Sequence, residues 1–227
     1  MQGKVAYTGS TAANYESDRI SDAIWEKEQQ YIAGFVSSLT SGDTVLDIPV
    51  GTGRFFPIYA AHGIHIIAAD ISADMLDEAK KKLNNWSSVE FRIEDVEKLS
   101  LADGACDHIV CWRLMHLLPP DALERAIVEF ARVARKTVLV QFFYLEQEAG
   151  IFRKIARKCK KMLAGKRSCH SAAETQTTPW SHIQVFTQKH KHIVEVSRLA
   201  GLRIEAIHSI NDEKYPETIY VFSKITK

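Results

Sequence analysis

The sequence predicts an α/β domain, a mostly parallel sheet with helices on both faces. Two observations carry that expectation. From Thr44 onward, short apolar runs alternate with amphipathic stretches, the pattern of strands joined by crossover helices. Three successive runs also end on an acid: Val45-Leu46 on Asp47, Ile66 to Ala69 on Asp70, and Val89 to Ile93 on Glu94-Asp95.

The first run opens into Ile48-Pro49-Val50-Gly51-Thr52-Gly53-Arg54. Gly51 and Gly53 lack a Cβ, so the backbone can turn through left-handed angles and approach a ligand closely. Pro49 fixes φ and stiffens the turn. Phe55 to His62 then predicts a helix whose first N–H groups point into the same space. The second run, His65 to Ala69, delivers Asp70 to a strand tip, where an acid can take both hydroxyls of a ribose. Ser72 caps a following helix with Met75, Leu76, Ala79 and Leu83 on one face. Lys80, Lys81 and Lys82 fall in its last turns, where cations suit the dipole. Met75 is either a core residue or a contact to an adenosine. The third run offers a carboxylate beside an adenine edge, with Val96 next to it. Asp107 to Cys111 predicts a fourth strand, Asp121 to Ala134 an amphipathic helix, and Thr137 to Phe143 a fifth strand.

Residues 1–18 are polar and aperiodic. From Arg19, the apolar residues Ile20, Ile24, Tyr31, Ile32, Phe35, Val36 and Leu39 recur at helical spacing as far as the Thr40-Ser41-Gly42 break. Between the fifth strand and the helix that ends at Leu199-Ala200-Gly201 lie about forty residues, 145–189, far more than an ordinary connection needs. This insertion leaves from the rim that holds the strand C-termini. Within it, Arg153 to Arg167 is densely basic, and no acid follows Glu148 until Glu174. The chain closes with two apolar runs, Leu202 to Ser209 and Thr218 to Ser223, joined by a polar turn. A hairpin there makes the last strand antiparallel to its neighbours.

The chain of 227 residues is read as one domain with an insertion, long enough for a substantial core. A net charge of +1 gives no global reason to expect nucleic acid as a partner. The four cysteines form no Cys-x-x-Cys pair, so neither a zinc cluster nor a disulfide framework is expected, and no metal. No run approaches the length of a membrane span and no signal-peptide core is evident, so a cytoplasmic location is the expectation.

Asp47-x-x-x-Gly51-x-Gly53, Asp70-Ile71-Ser72-x-x-Met75-Leu76, Glu94-Asp95-Val96 and Cys111-Trp112-Arg113-Leu114-Met115-His116-Leu117 together resemble the class I S-adenosylmethionine (SAM) dependent methyltransferases. The resemblance covers about residues 40–143. It is strongest to the small-molecule branch that includes the ubiquinone and menaquinone biosynthesis enzymes. It implies a Rossmann-like seven-stranded sheet in the order 3-2-1-4-5-7-6, the last strand reversed, with SAM as cofactor and S-adenosylhomocysteine (SAH) as product. A dehydrogenase fits less well, because Phe56 stands where the third glycine of Gly-x-Gly-x-x-Gly belongs.

By this resemblance Gly51, Thr52 and Gly53 lie under the methionine portion of the cofactor. Asp47 organises the loop and meets the amino group, Asp70 and Ile71 flank the ribose, and Glu94, Asp95 and Val96 stand by the adenine. Trp112 and Arg113 pack on the methionine portion or face the acceptor. Residues 1–40 form a cap, in which Tyr15 and Arg19 contribute to cofactor binding, with Arg19 either on the cofactor's carboxylate or solvated before the helix.

A general base is needed only for an acceptor that is protonated at working pH. His116, His182 and His190 are the candidates, although the apolar neighbours of His116 favour a structural histidine there. The basic stretch is a solvated lid over the site, or it receives an anionic, carrier-bound or membrane-associated acceptor. The expected activity is methyl transfer to a small molecule, preferably at oxygen, by a monomer or homodimer. The rivals are a tRNA or protein methyltransferase that uses the basic segment, and a SAM-binding module without turnover.

Overall fold

The structure is a computed structural model that describes Gly9 and residues 23–83, 86–143, 145–146, 186, 188–210 and 217–225. The leading helix α1 is Ala23–Ser37, and it is followed by β1 (Thr44–Asp47), α2 (Phe56–Ala61), β2 (His65–Asp70), α3 (Ala73–Lys80) and β3 (Val89–Ile93). Next come β4 (Cys106–Cys111), a 3-10 turn at Met115–Leu117, α4 (Pro120–Val133) and β5 (Ala134–Phe143). The chain ends with α5 (His190–Leu199), β6 (Leu202–Ile210) and β7 (Glu217–Lys224).

The seven strands form one sheet in the order β3-β2-β1-β4-β5-β7-β6. β1 to β5 run parallel, whereas β7 runs antiparallel to both β5 and β6. This is the order and the reversal implied by the resemblance. β4 is buried along its whole length, as a central strand covered on both faces must be. Alternation along the strands divides the core. Leu46, Ile67, Ile109 and Val138 pack with Leu123 and Phe130 of α4 and Ile193 of α5. Val45, Ile66, Val110 and Leu139 pack with Ile32 of α1, Tyr59 of α2 and Leu76 of α3. Fully buried aromatics such as Phe130 anchor these layers, and removing one costs about 3–5 kcal/mol.

β5 begins at Ala134, immediately after α4 and ahead of the expected Thr137. Arg135 and Lys136 belong to the strand because their charges are matched from other strands. Arg135 donates to Asp107 through Nε at 3.1 Å and Nη2 at 2.9 Å, and Lys136 to Asp43 at 2.7 Å. Asp107 also accepts the Thr44 N–H at 3.0 Å, and His108 Nε2 lies 3.0 Å from Asp43. This network ties β1, β4 and β5 together at the rim that carries the strand N-termini.

Of the insertion, Leu145–Glu146 and Gln188–Lys189 are described, and they pair with each other as a short parallel ladder. The ends of the insertion therefore meet beside the sheet. Tyr15, Arg19, His182 and Arg153 to Arg167 lie outside the described residues.

The Arg135 guanidinium beside Asp107 holds its carboxyl well below the usual range. Its stabilising contribution is therefore complete above the unfolded carboxylate pKa and is lost as pH falls through the folded value. Asp107→Asn is expected to cost about 1–3 kcal/mol at pH 7 and to flatten the acid side of the stability profile. Thermal melts between pH 7 and pH 3 check both.

Candidate active site

The C-terminal ends of β1, β2, β3 and β4 surround a cleft of about 360 Å³. The β1 loop brings Pro49, Gly51 and Thr52 to its wall, the β2 tip brings Asp70, Ile71 and Met75, and the β3 end brings Glu94, Asp95 and Val96. Trp112 and Arg113 follow β4 into the same wall. These residues lie far apart in sequence and were each expected at one site; the parallel sheet brings them together because every crossover returns to the same rim.

Local hydrogen bonds set the loop. Asp70 Oδ2 accepts the Gly51 N–H at 3.0 Å, and Oδ1 accepts the Ser72 N–H at 2.9 Å. One carboxylate thereby joins the glycine bend to the start of α3. Gly51 and Gly53 have φ of +55° and +72°, angles at which any other residue is strained. A Cβ on Gly51 would meet no protein atom within 4 Å, whereas one on Gly53 would strike the Phe56 ring at 2.6 Å. Gly51 thus borders open space, and Gly53 is required by packing beneath the loop.

Burial lifts the Asp70 carboxyl to about 6, although the Ser72 and Gly51 N–H groups pull it down. Asp47 does not line the cleft. It is 1% exposed beneath the loop and faces the Tyr59 hydroxyl. Burial first, then the Tyr59 hydroxyl acting against it and the Asp70 charge acting with it, leave its carboxyl well above the ordinary range. Neither of its oxygens takes a hydrogen-bond donor among the described residues. Glu94 is likewise engaged from within: its carboxylate accepts the Ser100 N–H at 2.8 Å and bonds the Ser100 hydroxyl. Asp95 accepts the Glu97 N–H at 3.0 Å, turning the chain so that Val96 faces the cleft.

The candidate histidines lie elsewhere. His116 sits in the 3-10 turn with its ring edge-to-face against Phe143 at 4.7 Å, and its carbonyl accepts the Phe186 N–H at 2.7 Å. His190 begins α5 and bonds the Tyr220 hydroxyl through Nδ1. Neither is among the residues that line the cleft, so among the described residues no histidine does.

The structure adds wall residues that were not assigned a role from sequence. Trp25 of α1 lines the cleft, which puts the leading helix over the site. Arg54 Cζ stacks on the Trp25 ring, 3.5 Å from its centroid, and Nη2 donates to the Trp25 carbonyl at 2.6 Å. Phe55, Leu114 and Phe186 add apolar surface. Arg54, directly after the glycine bend, was the available signal; Phe186 at the end of the insertion had none.

The cleft fits the cofactor implied by the resemblance. Open space stands over Gly51, a buried carboxyl stands at the β2 tip, and the buried Trp112 indole N–H has no acceptor among the described residues. Among the described residues no group of acids, histidines or cysteines could hold a metal ion.

Comparison with known proteins agrees. The methyltransferase domain family matches residues 45–137. The chain carries a methyltransferase domain of the SAM-dependent kind. It is 33% identical over 108 residues to a phosphatidylethanolamine N-methyltransferase of Cereibacter sphaeroides, covering 45% of this chain and 52% of that one. It is 27% identical over 146 residues to a malonyl-[acyl-carrier protein] O-methyltransferase of Pectobacterium atrosepticum, covering 63% and 55%. The chain therefore spans about half the length of these curated relatives. Among solved structures, magnesium protoporphyrin IX methyltransferase from Synechocystis with bound SAM superposes with a TM-score of 0.68 at 16% identity, covering 97% of this chain and 94% of that chain. The last strand of the chain runs antiparallel beside β5.

The end of the insertion is fixed to the wall by Gln188, which is 1% exposed and donates through Nε2 to the carbonyls of Met115 at 3.3 Å and Leu118 at 2.9 Å. Gln188→Ala leaves two carbonyls without that donor. It should lower stability by about 1–3 kcal/mol, measured by chemical denaturation.

Proposed function

We propose that this methyltransferase binds SAM in the cleft and transfers its methyl group to an oxygen of a small-molecule acceptor. The observation that carries the reading is the convergence of Gly51, Asp70 and Val96 on one cleft whose remaining wall is rich in aromatic and aliphatic side chains. In this reading Asp70, with Ile71 beside it, accepts from the ribose hydroxyls, and Val96 flanks the adenine. The Gly51 backbone approaches the methionine portion. Tyr15 and Arg19 join from the cap, residues 1–40. The insertion, residues 145–189, is the part of the domain that selects the acceptor.

SAM, when bound, supplies a methyl group already activated on a sulfonium, so transfer needs a nucleophile held in line with the C–S bond. Positioning of this kind supplies up to about 7–11 kcal/mol in favourable cases. The chain's own task is then to orient two ligands and exclude water. A carboxylate oxygen is the acceptor best suited to this wall. It is ionised at neutral pH and needs no base, which agrees with a cleft lined, among the described residues, by no histidine. The malonyl-[acyl-carrier protein] O-methyltransferases among the relatives support an acid, including one presented on a carrier. A phenol or alcohol would instead call on His182 as base.

Two measurements test this. Isothermal calorimetry should show SAH binding that Asp70→Ala weakens at least tenfold, roughly the loss of one charge-assisted hydrogen bond. Because the ribose hydroxyls need the ionised carboxylate, wild-type affinity should fall as pH drops below about 6, the value to which burial raises Asp70. Incubation with SAM and a panel of carboxylic acids, phenols and amines, followed by mass spectrometry, should yield methyl esters. Products confined to amines or phenols would overturn the carboxylate acceptor.

A further inference from the structure

Beside the cleft wall lie two glutamates with no exposed surface, Glu28 on α1 and Glu217 at the start of β7. Glu28 already serves both wall arginines. It accepts from Arg54 Nη1 at 2.5 Å, and from Arg113 Nε and Nη2, each at 2.8 Å. The Glu217 carboxyl lies against that of Glu28 and beside the Gln141 side chain, whose Nε2 takes no bonding partner among the described residues. Neither Glu217 oxygen takes a conventional donor bond among the described residues. Ionised carboxylates only accept, so the contact between the two glutamates is a hydrogen bond only if one of them carries a proton. Glu28 is the ion: burial raises its carboxyl, but Arg113 and Arg54 outweigh that and hold it below its usual value.

We propose that Glu217 is a positioning residue which, as the neutral acid, donates to Glu28 and through it holds Arg113 and Arg54 in the wall of the methyl-transfer cleft. Arg113 needs such holding. It is a non-glycine residue in the left-handed region, at φ of +56°, a conformation that persists only when its surroundings enforce it. Its N–H is fixed by Gln141 Oε1 at 2.8 Å and its guanidinium by Glu28, the two residues whose side chains adjoin Glu217. The charged groups facing Glu217 are Glu28 from α1 and Arg113 from the loop after β4. Its neighbours in the sheet, Phe143 on β5 and Ile210 on β6, are apolar.

Burial first, and the Glu28 charge second, push the Glu217 carboxyl up to about 9. The clamp is therefore closed through neutral pH. As pH rises past that value Glu217 becomes a second carboxylate, repels Glu28 and competes for the Arg113 fork.

The inference rests on the cleft being the cofactor site, and the test separates the two. Protein labelled with ¹³C-glutamate is titrated from pH 6 to pH 10.5 by NMR, and tryptophan emission, sensitive to Arg54 lying on Trp25, is followed alongside. Wild type should show one glutamate carboxyl titrating near pH 9 with a matching emission step. Glu217→Gln, which keeps a neutral donor of the same shape, should lose both. SAH affinity should fall about tenfold between pH 8 and pH 10 in wild type and change less than twofold in Glu217→Gln. Glutamates that all titrate below pH 6, or parallel loss of affinity in the two proteins, would overturn the proposal. Failure of SAH to bind either protein would refute the cofactor reading, while the titration and emission steps still decide the role of Glu217.

Discussion

A buried carboxylate at the tip of the second strand is the constraint on which the site depends. Asp70 reaches across to the Gly51 N–H and forward to the Ser72 N–H, so the glycine bend after β1 and the start of α3 cannot move independently. The left-handed turn at Gly51 is held open against the cleft, and the cap of α3 is set by the same group. Burial makes that carboxylate costly to ionise, and this unspent demand for donors suits a ligand with two hydroxyl groups. Around it, the loop packs from below on the Phe56 ring under Gly53.

The opposite half of the cleft is built differently. There the wall is carried by side chains whose partners come from distant segments: Arg54 and Arg113 from Glu28, Phe186 through the His116 carbonyl, and Gln188 through Met115 and Leu118. The half around Asp70 and Gly51, the proposed cofactor half, thus depends on backbone geometry close to the sheet, whereas the other half depends on long-range polar contacts that variation in α1 or in the insertion can retune. A division of this kind lets one fold keep its cofactor and change its acceptor.

The strands were legible in the sequence because their signals are local, and their order followed from the resemblance. Apolar runs ending on Asp47, Asp70 and Glu94, and glycines at fixed spacing, require no knowledge of distant partners. The start of β5 was not legible: Arg135 and Lys136 look like a solvated helix end until Asp107 and Asp43 are placed beside them. Glu217 was hidden for the same reason, since an acid in the polar stretch 211–217 looks solvated until α1 covers it. Trp25 was readable as apolar helix content but not as cleft wall. Position near a rim in sequence does not by itself make a histidine side chain face the cleft: His190 turns to Tyr220 and His116 to Phe143, the structural reading that the apolar neighbours of His116 favoured.

The central claim is that Asp70, the Gly51 bend and Val96 hold one adenosyl ligand between them. A crystal structure of the protein grown with SAH tests it most directly. The account predicts ribose hydroxyls within hydrogen-bond distance of the Asp70 carboxylate, the adenine beside Val96 and the amino-acid portion over Gly51. SAH bound elsewhere, or bound in the cleft with its ribose away from Asp70, would contradict it.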